Sequence, residues 1–144
     1  MLDSYRIRTR LKEINKRLQI LEKKFKPLRE EELTKDEIFN TSAERNLQIA
    51  IQACIDIANH IVAALALDRS FKDTAEVFAS LAEEDIIPED FVNTMIKITS
   101  YRNVLVHGYL DVDRHITYEN IQKHLPDLSR FAQYIEKFLA KSSK

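Results

Sequence analysis

A chain of 144 residues, 44% hydrophobic and 31% charged, carries enough apolar material for one buried core and too little length for two of ordinary size. One glycine and three prolines leave almost nothing from which to build tight turns or strand bends, so a single all-helical domain over residues 1–144 is expected. A formal net charge of -1 argues against a protein that coats nucleic acid over its whole surface.

The charge is unevenly spread. Residues 1–30 hold ten Lys or Arg against Asp3, Glu13, Glu22 and Glu30, a local sum of +6 that leaves -7 for the rest. Such a basic segment could steer a polyanion or an acidic partner, or could be an ordinary solvated helix face. No uninterrupted apolar run reaches the eighteen or so residues that span a bilayer, and the first residues are charged throughout. A cytoplasmic location without membrane attachment is therefore expected. The single cysteine, Cys54, lies in the apolar run "IAIQACIDIA" and reads as a buried thiol.

In chain order, Leu11, Ile14, Leu18, Leu21 and Phe25 recur by threes and fours after a start at Asp3 or Ser4, which predicts a long amphipathic helix ending near Pro27. Residues 28–37 are polar and read as a connection. A second helix places Leu47, Ile51, Cys54, Ala58, Ile61 and Leu65 on one stripe, widened by Ile49, Ile57 and Val62. Gln52, Asp56, Asn59 and His60 interrupt it and must be exposed or hydrogen-bonded. A short helix follows Ser70 or Asp73 with the capping-box pattern "DTAE", and Pro88 opens a fourth. The last helix carries Tyr118, Ile121, Leu125, Leu128, Ala132, Ile135 and Leu139, with Pro126 as a kink or restart. Four long helices and one short one predict an up-and-down bundle.

The fourth helix breaks its own pattern. Phe91, Met95 and Ile98 keep the apolar spacing, and the next place in that register is Arg102. A guanidinium there needs an anionic ligand, a second subunit, solvent or an inward carboxylate such as Asp56. Five residues on stands His107, followed by Gly108 and Tyr109. Gly108 suits a helix stop in the left-handed conformation, which makes His107 the last helical residue. The partial negative charge of that terminus favours a protonated imidazole, useful to a group that exchanges protons near neutral pH. On an ideal helix Arg102 and His107 are separated by about 7.5 Å along the axis and roughly 140° around it, so the two side chains do not share one face. Two copies related by a two-fold axis could bring both pairs into one cleft, and a homodimer is expected on that ground.

Together "RNVLVHGY" and its flanks from "ALDRSFKDTAEVF" to "LDVD" resemble HEPN-domain proteins of the HepT type, whose motif is R-x4-H-x-Y. The resemblance covers roughly residues 40 to 140 and implies a helical homodimer acting as the toxin of a toxin–antitoxin system. It further implies a metal-independent endoribonuclease, because the 2′-hydroxyl of RNA is itself the nucleophile. Carried over residue by residue, Arg102 would hold and neutralise the scissile phosphate, His107 would act as general base or acid, and Asn103 would support them. Tyr109 would accept AMP units from a cognate minimal nucleotidyltransferase antitoxin, blocking substrate by bulk and charge. No cofactor or metal is expected. His60, His115 and His124 lack metal-ligand spacing and read as surface or hydrogen-bonded residues, and the pairs Glu31–Glu32 and Glu83–Glu84 read as solvated charge. Two other roles remain open at this point: a non-enzymatic subunit presenting nucleotide or substrate to a nucleotidyltransferase, and a structural adaptor that leaves Arg102 unexplained.

Overall fold

The computed structural model describes residues 2–65, 73–107 and 113–142, and among them there is no strand. The first helix starts at Asp3, whose carboxylate accepts the Arg6 backbone N–H (3.0 Å) and so satisfies a donor that the helix itself leaves free. It runs as α1 (Ser4–Ile20) and continues into one π-helical turn, Leu21–Phe25, where the Lys26 N–H reaches back to the Leu21 carbonyl (2.8 Å). Ile7, Leu11, Ile14, Leu18, Leu21 and Phe25 are all buried, as the spacing required.

Residues 30–34, read above within a connection, form the short helix α2 (Glu30–Thr34). A single apolar residue gives no periodicity to read, yet Leu33 is completely buried, and Glu32 accepts the Arg29 backbone N–H (2.9 Å) at the start of the turn. α3 (Glu37–Ala64) opens on Asp36, which accepts from the Phe39 N–H (3.0 Å), and crosses the centre of the molecule. It packs on α1, α4 (Thr74–Glu83), α5 (Glu89–His107) and α7 (Leu125–Ser142). By length and composition α3 could cross a membrane, since its charged residues are spaced widely enough to keep the mean hydropathy high. Here its apolar residues are spent on the core instead: Leu47, Ile51, Cys54, Ile57, Ala58, Ile61 and Val62 are buried. Burial pushes the Cys54 thiol well above the usual thiol range.

The polar residues of α3 are accounted for. Gln52 donates to Asp56 (2.9 Å), Asp56 pairs with Arg10 (3.7 Å), and the His60 Nε2 accepts the Asp3 N–H (3.0 Å), while Asn59 is exposed. Leu65, expected in the buried stripe, sits at the C-cap and is 38% exposed, because the helix ends before it turns inward. The four long helices and the short α4 are as expected. The last of them is preceded by a separate α6 (Arg114–Lys123), and the break at His124 is bridged by its Nδ1 contact with Asp127 (3.0 Å) ahead of the α7 core. α7 buries Leu125, Leu128, Phe131, Ala132, Ile135 and Leu139 along one face. Phe131 meets Phe78 of α4 edge to face, with ring centroids 5.8 Å apart.

Candidate functional site: the end of the motif helix

α5 begins directly after Pro88 and runs to His107, the last described residue before the glycine, so the expected helix stop lies outside the described residues. Gly108 and Tyr109 themselves lie outside the described residues. Phe91, Met95 and Ile98 are buried, and one turn later Arg102 keeps their register with only part of its surface exposed. Its Nε is buried and has no hydrogen-bond partner among the described residues. Asp56, the carboxylate that could have neutralised it, is already engaged by Arg10 and Gln52. A desolvated guanidinium N–H without an acceptor is costly, by about 1–3 kcal/mol or more, and an anion that supplied the acceptor would recover that cost. Asn103, next on the helix, is exposed.

Because Arg102 and His107 lie on one unbroken α-helix, their backbones keep the five-residue relation of about 7.5 Å and 140°. The structure therefore joins the two residues through the helix backbone and not through a shared face of it. Val104 on the same last turns is 40% exposed, an apolar residue left uncovered beside the motif.

The end of α5 is held by groups that periodicity could not show. The Tyr101 hydroxyl and the Thr117 Oγ1 of α6 form a buried hydrogen bond, tying together the two helices that flank residues 108–112. Burial pushes the Tyr101 phenol up, and the charge of Glu44 on α3 pushes it in the same direction, so the hydroxyl stays protonated. Glu44 is itself raised, chiefly by desolvation, although the Asn40 amide donates to it. Arg114 at the start of α6 reaches both the Thr34 carbonyl (2.6 Å) and Glu37. His115 bridges Glu30 (2.8 Å) and Glu119 (2.6 Å), and those two hydrogen bonds raise its pKa. α6 is thus pinned to α2, α3 and α5 by polar contacts. Among the described residues no cluster of His, Cys, Asp or Glu could hold a metal ion.

Residues 14–135 match the family model described as Ribonuclease HepT-like. The chain belongs to this family. The mRNA nuclease HepT of Shewanella oneidensis is 34% identical over 93 residues, which are 63% of this chain and 68% of that protein. The tRNA nuclease HepT of Aphanizomenon flos-aquae is 29% identical over 133 residues, 92% of this chain and 89% of the relative. Among solved structures, the tri-AMPylated Shewanella oneidensis HEPN toxin in complex with MNT antitoxin superposes with a TM-score of 0.81 at 26% identity, covering 95% of this chain and 99% of that one. YutE from Bacillus subtilis superposes with a TM-score of 0.85 at 20% identity, over 98% and 93% of the two chains, and is a likeness of fold alone.

Proposed function

We infer that this HepT-like chain is the ribonuclease toxin of a toxin–antitoxin pair, acting in the cytoplasm as a homodimer on RNA. The observation that supports this most is Arg102: a partly desolvated guanidinium, without an acceptor for its Nε among the described residues, set five residues before His107 on α5. In the dimer, Arg102 binds a non-bridging oxygen of the scissile phosphate and neutralises the charge that grows there in the transition state. One His107 takes the proton of the ribose 2′-hydroxyl as its oxygen attacks phosphorus. The His107 of the partner subunit donates a proton to the departing 5′-oxygen, leaving a 2′,3′-cyclic phosphate and a 5′-hydroxyl. The nucleophile belongs to the substrate, so proton transfer and charge stabilisation are all the protein must supply. Asn103, exposed beside Arg102, supports the phosphate by hydrogen bonding.

Tyr109 is the control point of the same site. AMPylation of the Shewanella toxin in its complex with an MNT antitoxin supports reading Tyr109 as the acceptor for a cognate minimal nucleotidyltransferase. Each AMP unit adds a bulky anion next to the residues that must receive the substrate phosphate. Expression of the chain alone, followed by RNA integrity and growth, tests the nuclease reading. Wild type should degrade RNA while Arg102→Ala and His107→Ala do not, and equal behaviour of all three would end it. Mass spectrometry after co-expression with the nucleotidyltransferase should find AMP on Tyr109, and an unmodified tyrosine beside an active partner would remove that role.

A further inference from the structure

The proposed chemistry leaves the basic first segment, residues 1–30 with a local charge of +6, unused. On α1, Arg8, Lys12 and Lys16 succeed one another every four residues, and Lys23 continues their line in the π-helical turn; all four are exposed. Each four-residue step advances about 6 Å and rotates only about 40°, so the cations form one slowly winding track roughly 20 Å long. The spacing is of the order of the separation between successive phosphates on a nucleic-acid strand.

This track differs from the other basic flank of the same helix. Arg10 and Arg17, which face α3, are paired with Asp56 (3.7 Å) and with Glu13 (2.9 Å), and Arg17 also reaches Asn46 (3.2 Å). Among the described residues, Arg8, Lys12, Lys16 and Lys23 make no ion pair, and the acids of this region are engaged elsewhere: Asp3 caps the helix, Glu13 holds Arg17, and Glu22 pairs with Lys26 (3.7 Å). Unopposed like charges in a row are a source of field that a polyanion would cancel. Tyr5, 80% exposed, stands at the head of the track, where a ring can stack on a base. A protein partner would need an apolar centre. Apart from Tyr5, the exposed large apolar residues Ile38, Phe39, Val104 and Ile116 lie on α3, α5 and α6 and not on the track itself.

At its Lys23 end the track adjoins α3 and α6. Phe25 packs edge to face on Phe39 in the first turn of α3 (6.4 Å), and Gln122 of α6 donates to the Lys26 carbonyl (2.9 Å). Its Lys23 end therefore lies where α6 closes the bundle, and α6 is the helix tied to Tyr101 of the motif helix. We propose that the outward face of α1, from Tyr5 through Arg8, Lys12 and Lys16 to Lys23, is a docking track for single-stranded RNA that holds a flank of the substrate by its phosphates.

This inference rests on the ribonuclease reading, and its test separates the two. Binding is measured in the full-length His107→Ala chain, which does not depend on cleavage, by fluorescence anisotropy with a labelled single-stranded RNA of about twenty nucleotides. Replacing Lys12, Lys16 and Lys23 by Gln should weaken binding at least about tenfold at low salt and lower the slope of log affinity against log salt by about two, from three lost phosphate contacts. In the chain with His107 intact, the same three changes should raise KM for long RNA and leave kcat unchanged. Thermal unfolding should not move, since all three residues are exposed. Unchanged affinity and slope would overturn the proposal, as would failure of the His107→Ala chain to bind RNA at all. A triple variant that binds RNA normally but no longer associates with the nucleotidyltransferase would assign the face to a protein and overturn it equally. Failure of the wild-type chain to cut RNA would instead count against the catalytic reading, whatever the anisotropy shows.

Discussion

α7 and α5 are two long helices of similar length that use their residues in opposite ways. Along α7 the apolar stripe from Leu125 to Leu139 is unbroken and every member is buried. Along α5 the buried stripe runs through Ile98 to Tyr101, and beside Tyr101 the register of Phe91, Met95 and Ile98 leads to Arg102, with Val104 left uncovered. One helix is optimised for the core. The other carries in its last turns a guanidinium whose Nε has no acceptor among the described residues, and a local rule broken without an evident compensation points to a candidate functional site.

Substitutions at the two helices should separate activity from stability. The largest effect is expected at the end of α5: Arg102→Ala or His107→Ala should lower the rate of RNA cleavage by about 10²–10⁴-fold. The melting temperature of Arg102→Ala should stay level or rise, because a desolvated donor is removed. Denaturant titration should show the reverse pattern for Ile135→Ala in α7, a loss of about 2–5 kcal/mol with near-normal cleavage by the fraction that remains folded. If Arg102→Ala proved as destabilising as Ile135→Ala, the contrast between the helices would collapse.

A smaller effect is expected where the two regions meet. Tyr101→Phe leaves the buried Thr117 hydroxyl without its partner and should cost about 1–3 kcal/mol, and adding Thr117→Val should restore part of it in a double-mutant cycle. Strict additivity of the two would mean that the bond does not couple α5 to α6. The smallest effect is one of pH. The raised pKa of His115 means that its contribution to stability is complete below its ordinary value of 6.5 and is lost as pH rises through the higher folded value. Glu119 is lowered, chiefly by the hydrogen bond from His115, so its contribution is present above 4.5 and is lost as pH falls through the lower folded value. The contribution of the His115 bridge, with Glu30 of α2 and Glu119 of its own helix, should be largest between about pH 4.5 and 6.5. His115→Gln should flatten the dependence of the melting temperature on pH across that window, and an unaltered profile would remove the His115 bridge from the account.

What the sequence made legible follows from the same contrast. α1, α3 and α7 could be read because burial along a helix is periodic and local, and Arg102 could be read because a cation in an apolar register is conspicuous. α2 could not, since one buried residue, Leu33, has no period. The Tyr101–Thr117 bond and the reach of Glu44 toward Tyr101 join different helices, and spacing along the chain carries no trace of them. The motif residues were visible as types in a pattern. Their support was not, because it is assembled only when α3, α5 and α6 come together.

Cys54 gives the chain a reporter of its own. A thiol with no solvent access, raised in pKa and without a second cysteine to pair with, cannot meet an alkylating reagent unless the central helix comes out of the bundle. The rate at which native protein takes up such a label therefore measures how often the whole interior opens, with no engineered probe. The same measurement made with RNA or with the nucleotidyltransferase present would show which of them closes the bundle more tightly.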